Sequence, residues 1–180
     1  RRRHTRFRNV TGVQTCALPI SQKTTTMKIG MGVAVPGLRL ASTLAAGMAT
    51  LNMVAPGRCF VALGTGNTGM RLLGRKPMAL KSFETYVRTV RDLLQGKDTA
   101  YEHNGEKHTI RFMLTDKGYR NLHDPIPVYL AGYGPKAQML AGEIADGLTS
   151  NVPRGGSLED RKSTRLNSSH VSESRMPSSA

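Results

Sequence analysis

Acidic side chains are scarce in this chain: 12 Asp and Glu stand against 26 Lys and Arg, for a formal net charge of +14. Cysteine is scarcer still, at two residues, Cys16 and Cys59. Cys16 falls in a terminal segment set apart below, which leaves Cys59 alone. One thiol closes no internal disulfide, in keeping with a reducing compartment and a cytoplasmic location. No apolar run approaches the roughly 20 residues that a bilayer demands, so no spanning helix is expected. No Ser-His-Asp arrangement or paired-carboxylate site stands out, and no internal repeat beyond an alternation of elements. His103, His108 and His123 lack metal-ligand spacing and read as exposed histidines, so no metal is expected.

The two ends are unusual in another way. Residues 10–20 read VTGVQTCALPI and residues 160–170 read DRKSTRLNSSH. One permitted codon choice for the second peptide, read on the opposite DNA strand, translates to the first. The relation continues outward, because SRMPSSA at residues 174–180 gives RRRHTR at residues 1–6 in the same way. Both ends resemble translated adapter oligonucleotides of short-read sequencing libraries. Segments of this kind are set aside before fold reasoning. Residues 1–20 and 160–180 are therefore expected to be disordered artefacts, and residues 21–159 an internal fragment.

The basic excess shrinks on trimming. The flanks hold nine of the Lys and Arg and two of the Asp and Glu, so 17 basic and 10 acidic residues remain, a net of +7. Along one helical face Lys81, Arg88 and Arg91 alternate with Glu84 and Asp92. That pattern reads as a solvated surface, with a nucleic-acid stripe as the competing reading. Cys59 precedes Phe60, Val61, Ala62 and Leu63 and is expected to pack in a buried strand. The trimmed length suffices for one hydrophobic core.

The order of elements follows from periodicity and breakers. Residues 27–35 form an apolar run ended by Pro36-Gly37, which predicts a buried strand. Leu44, Met48 and Leu51 recur at helical spacing, with a stop near Ala55-Pro56-Gly57. Residues 58–63 predict a second buried strand, leading into GTGNTG at residues 64–69. The clearest helix covers residues 78–95, where Phe83, Val87, Val90 and Leu94 make an apolar stripe and Gly96 supplies the residue after its C-terminus. Residues 99–103 and 107–112 flank Asn104-Gly105, a type I′ hairpin signal. After Asp124-Pro125, residues 126–131 predict another buried strand. Pro135 suits the first position of a helix to Ala145, and residues 147–151 begin a further strand. Alternation with nearly continuous apolar strands indicates an α/β fold with a parallel sheet. A doubly wound sheet and part of a barrel both fit.

In either architecture ligands collect at the C-terminal ends of the strands. Three loops leave those ends, at residues 35–37, 64–69 and 132–136. Glycine in the last two lets the backbone approach a ligand and supplies uncrowded N–H groups. The third loop opens onto a helix, whose N-terminus favours a phosphate, and Lys136 adds charge there. GTGNTG also satisfies G-x-G-x-x-G, so an NAD-binding Rossmann dehydrogenase is an alternative. The context speaks against it. Residues 70–73 give barely one helical turn, and Glu84, near the place of the ribose-binding acid, lies inside an amphipathic helix.

The ordered motifs GRCFVALGTGNTGMRLLGRKPMALKSFETYVRTVRDLL and IPVYLAGYGPKAQMLAGEIADGL carry a resemblance to a family. Together they resemble the luciferase-like flavin oxidoreductase superfamily, in its branch of deazaflavin-dependent methylenetetrahydromethanopterin reductase-like proteins, over residues 27–152. The resemblance implies a (β/α)8 TIM barrel binding FMN or a deazaflavin (coenzyme F420) at its C-terminal face. Such a barrel typically needs about 250 residues, so residues 21–159 would be a partial barrel, its third to sixth strands with a hairpin insertion. Gly32 and Val33 would match a bulged strand where a non-prolyl cis peptide supports the ring system. Thr65, Gly66 and Asn67 would meet the cofactor after the next strand, although some relatives carry arginine where this chain has Thr65. Tyr133, Gly134, Pro135 and Lys136 would border the cofactor phosphate. The parent would be an oxidoreductase, a monooxygenase or reductase acting on a small-molecule substrate, with no nucleic-acid or membrane partner and with a homo-oligomeric state left open. The polypeptide as it stands is expected to be poorly soluble and without turnover, because an unclosed sheet leaves unpaired edges.

Overall fold

A computed structural model describes residues 13–103 and 106–150. The flank assignments at residues 1–12 and 160–180, and the hairpin turn at Asn104-Gly105, lie outside the described residues. Helix α1 (Val13–Lys23) leads to β1 (Ile29–Ala34), α2 (Ala41–Val54), β2 (Cys59–Leu63), α3 (Asn67–Leu72) and α4 (Leu80–Leu94). The chain continues with β3 (Thr99–His103), β4 (Glu106–Ile110), β5 (Val128–Ala131), α5 (Pro135–Ile144) and β6 (Gly147–Thr149). None of the described helices is long and apolar enough to cross a membrane.

Helix α1 takes in residues 13–20 of the first flank. Among its described side chains, from residue 17 on, the buried ones are Ala17 and Ser21, four apart on one side. Neither is strongly apolar, so no hydrophobic period marks them. The Ser21 carbonyl accepts a 2.8 Å hydrogen bond from Arg58 Nη2, which docks the end of the helix beside β2.

The parallel strands run in the order β1-β2-β5-β6, and β3-β4 form a separate antiparallel ribbon. Each parallel strand pairs with the next one in chain order. A doubly wound sheet reverses its order at a switch point, and this one does not. The winding is that of a (β/α)8 barrel, of which these strands form a part, and the Rossmann alternative fails on it. Ribbon register pairs His103 with Glu106.

One core cluster joins sheet and helices. Ile29, Cys59, Val61, Leu63, Val128 and Leu130 meet Leu44 and Met48 of α2, the predicted stripe Phe83, Val87, Val90 and Leu94 of α4, and Leu140 of α5. Strand side chains alternate in direction, so the opposite face carries Phe60, Ala62 and Tyr129. The Phe60 and Tyr129 rings sit 6.0 Å apart at 55°. Glycines flank them because nothing larger fits: a Cβ on Gly30 would meet the Phe60 backbone and ring, and one on Gly147 would lie 2.9 Å from Tyr129.

Two polar contacts fix the bottoms of the strands. Asp146 donates its amide to the Val128 carbonyl at 2.8 Å, while its carboxylate accepts from Val128 N at 2.7 Å and Arg91 Nη1 at 2.9 Å. Arg91 thus leaves the solvated α4 pattern for a partner on another element. Asn52, wholly buried in α2, donates to the carbonyls of Asn121 at 3.2 Å and Asp124 at 2.8 Å and accepts from Gly57 N at 3.2 Å.

Candidate functional site

The loops leaving β1, β2 and β5 converge at one end of the sheet. In β1 the Gly32–Val33 peptide is cis, and the pairing slips there: Gly32 faces Ala62 while Ala34 faces Leu63, so Val33 is an extra residue. The Val33 side chain is 46% exposed. A Cβ on Gly64 would come within 2.9 Å of Val33 Cγ1 and 3.4 Å of Ala131 Cβ, so Gly64 is where the three strand ends touch.

The second loop rests on the first through Met70. Its methyl occupies the space of a Gly37 Cβ at 2.5 Å, and its Cγ would lie 2.8 Å from a Cβ on Gly66. Gly66 adopts φ +83°, a left-handed conformation that glycine takes without strain, and Val35 fills the rest of the space beside it. Thr65 is anchored by its carbonyl, which accepts from Met78 N at 3.0 Å. Asn67 opens α3, and its Oδ1 accepts from Arg71 Nε at 2.7 Å.

In the third loop Gly132 packs against Ala137, 2.9 Å from where its Cβ would be, and binds the Thr149 carbonyl at 3.3 Å. Gly134 precedes α5 and Pro135 opens it. The amides of Ala137 and Gln138 are both taken by the Gly134 carbonyl at 3.1 Å. Pro135 has no amide proton, so Lys136 supplies the first-turn N–H that can face a ligand. Tyr133 is 68% exposed, and its carbonyl accepts from Gln138 Nε2 at 3.1 Å.

These contacts divide the glycines into two kinds. Gly64, Gly66 and Gly132 are walled in by Val33, Val35, Met70 and Ala137, so they seat one loop on another. Gly32, Gly69 and Gly134 meet nothing within 4 Å. Gly32 and Gly134 therefore leave open backbone at the strand ends, beside the exposed Val33, Tyr133 and Lys136. Every residue proposed from the motifs lies at this end of the sheet, but Gly66 faces protein rather than open space.

The remaining candidates lie elsewhere. His108 is exposed, 3.4 Å from an exposed Glu106 carboxylate, and His123 is exposed in its loop. Cys59 is 1% exposed in β2, as expected, and its thiol donates to the Ala55 carbonyl at 3.6 Å. Burial pushes that thiol up to about 11, against the pull of Arg58 and Lys28, so it stays protonated and unreactive at neutral pH. A cavity of about 700 Å³ lies between α1, α2 and the free edge of β1, lined by Ala17, Met31, Arg39, Thr43 and Arg120 among others. It includes no residue of the second or third loop and is separate from this site.

A family model described as luciferase-like monooxygenase matches residues 14–162, spanning the sheet and all three loops. The chain belongs to the luciferase-like monooxygenase family. Among curated proteins it is 29% identical over 163 residues to a 5,10-methylenetetrahydromethanopterin reductase from Archaeoglobus fulgidus, covering 88% of this chain and 46% of that protein. It is 32% identical over 145 residues to an F420-dependent glucose-6-phosphate dehydrogenase from Nakamurella multipartita, covering 77% of this chain and 41% of the relative. The chain thus spans less than half the length of these curated relatives. A crystal structure of a monooxygenase from Streptomyces bottropensis superposes with a TM-score of 0.67 at 17% identity, over 89% of this chain and 51% of that one, and shares the fold.

Sequence reasoning missed Arg71, which Asn67 holds at the mouth of the second loop. The four-residue spacing of Asn67 and Arg71 on a helix was the available signal.

Proposed function

We propose that this chain is the cofactor-gripping part of an oxidoreductase that uses FMN or a deazaflavin such as coenzyme F420 on a small-molecule substrate. The observation that carries the reading is the convergence of the Val33 bulge, the second loop and the start of α5 at one end of a luciferase-like sheet. Gly32 and Val33 offer an open, apolar floor for a flat ring. Tyr133, Gly134, Pro135 and the Lys136 amide and ammonium offer polar and charged contacts for the anionic end. Thr65, Gly66 and Asn67 close the side between them. When bound, the tricyclic group supplies the hydride or oxygen chemistry, while the chain orients it and excludes water. Nucleic acid and membrane have no part in this reading, and the location is cytoplasmic.

Thermal unfolding with FMN, F420 or NAD separates the readings. A ligand at about a hundredfold its Kd stabilises the native state by about 2.7 kcal/mol. FMN or F420 is expected to raise the melting temperature and NAD to leave it unchanged. Stabilisation by NAD alone, or by none of the three, would refute the proposal.

A further inference from the structure

No Asp or Glu occurs before Glu84, and none between Asp124 and Glu143. All three strand-end loops lie in these acid-free stretches. Five cations lie in the same stretches. Arg71 lies in the last turn of α3, Arg75 and Lys76 follow that helix, Lys81 sits in the first turn of α4 and Lys136 in the first turn of α5. All five side chains are exposed on segments that leave the C-terminal ends of β2 and β5.

The commitments of other cations sharpen the contrast. At the opposite end of the sheet Lys28 Nζ binds the Gly57 carbonyl at 2.8 Å, and Arg58 binds the carbonyls of Ser21 and Met27. Arg88 pairs with Glu84, Arg91 with Asp146 and Arg111 with Asp98. Among the described residues no carboxylate pairs with Arg71, Arg75, Lys76, Lys81 or Lys136. Among the described residues the Arg71 side chain bonds the neutral Asn67 amide oxygen, which orients the guanidinium without cancelling its charge. Like charges gathered at one rim repel each other and raise a positive potential that a single compact anion cannot neutralise. Spread along a rim, they suit anionic groups spread along a chain.

On the strength of the proposed function, we infer that the cofactor held here carries several anionic groups along a flexible tail. Arg71, Arg75, Lys76, Lys81 and Lys136 are the residues that read that tail. Coenzyme F420, with its phosphodiester-linked chain of glutamates, has such a tail; FMN ends in one phosphate. The rim therefore selects the deazaflavin.

Fluorescence titration of the full chain with F420, with the tail-less deazaflavin and with FMN tests this at about 0.1 M and about 1 M salt, between which the screening length falls from about 10 Å to about 3 Å. At low salt F420 is expected to bind at least about tenfold tighter than FMN, and at high salt that advantage should vanish. The double variants Arg75→Gln/Lys76→Gln and Arg71→Gln/Lys136→Gln are each expected to weaken F420 binding several-fold and leave the tail-less deazaflavin unaffected. FMN binding as tightly as F420, a salt-independent preference, or variants that weaken both deazaflavins equally would overturn the tail assignment and leave the cofactor site standing. Failure of all three ligands to bind would remove the site itself.

Discussion

Two weak acids lie where their charged forms are disfavoured. Burial pushes the Cys59 thiol up to about 11, and burial likewise pushes the Tyr86 phenol up to about 12, with Arg39 pulling it down and Tyr101 adding to the rise. The Tyr86 hydroxyl donates to the Arg39 carbonyl at 2.9 Å. In the unfolded chain each group releases its proton at lower pH than in the fold. Above those unfolded values the unfolded state binds fewer protons than the native one, so stability falls as pH rises. Urea melts are expected to show these contributions intact at neutral pH and lost progressively from about pH 9 to pH 12. Cys59→Ala should flatten the lower part of that decline, and an unchanged curve would contradict the burial of the thiol. The glycines show how legibility fails at this scale. GTGNTG announced a ligand loop, and the loop does lie at the strand ends. Which glycines are left open depended on Val33, Val35 and Met70 reaching in from elsewhere, and no local pattern encodes that.

Helix α4 was plain in the sequence because large apolar residues recur on one face and Gly96, at φ +72°, ends it. Helix α1 was invisible because its described buried side chains are the small Ala17 and Ser21 and because Pro19, inside it, is a residue that argues against a helix. Between these extremes lies Asn52, a polar residue in a helix whose periodicity named only its apolar neighbours. Its amide ties α2 to the backbone at Asn121 and Asp124 and to Gly57 through three part-buried bonds. Asn52→Ala leaves those backbone groups without a partner, and an unpaired buried group costs about 1–3 kcal/mol. The expected loss in chemical unfolding is therefore about 2–3 kcal/mol, with the transition slope unchanged. A loss below about 0.5 kcal/mol would show that water replaces the amide without penalty.

Across the whole molecule, alternating strands and helices were readable but their winding was not, since doubly wound sheets and barrels share that alternation. Pairing decided it: β1-β2-β5-β6 proceeds in one direction. Among the described residues β1 and β6 each have one neighbouring strand, and Phe60, Tyr129 and Val33 lie on or beside a face no second layer covers. Open parallel edges with apolar surface associate. Size-exclusion chromatography with light scattering is expected to find this polypeptide self-associated, and enzyme assays to find no turnover. A soluble, active monomer would contradict both.

The ribbon of β3 and β4 has a bearing on engineering. It is rooted by buried Thr99, whose hydroxyl donates to Asp92 at 2.9 Å, and its outer positions Glu106, Lys107 and His108 face solvent. Because it shares no ladder with the parallel strands, its reach can be lengthened or trimmed without shifting their register. An epitope or reporter grafted between His103 and Glu106 would be carried outward on this arm, leaving the strand ends and their cationic rim as they stand.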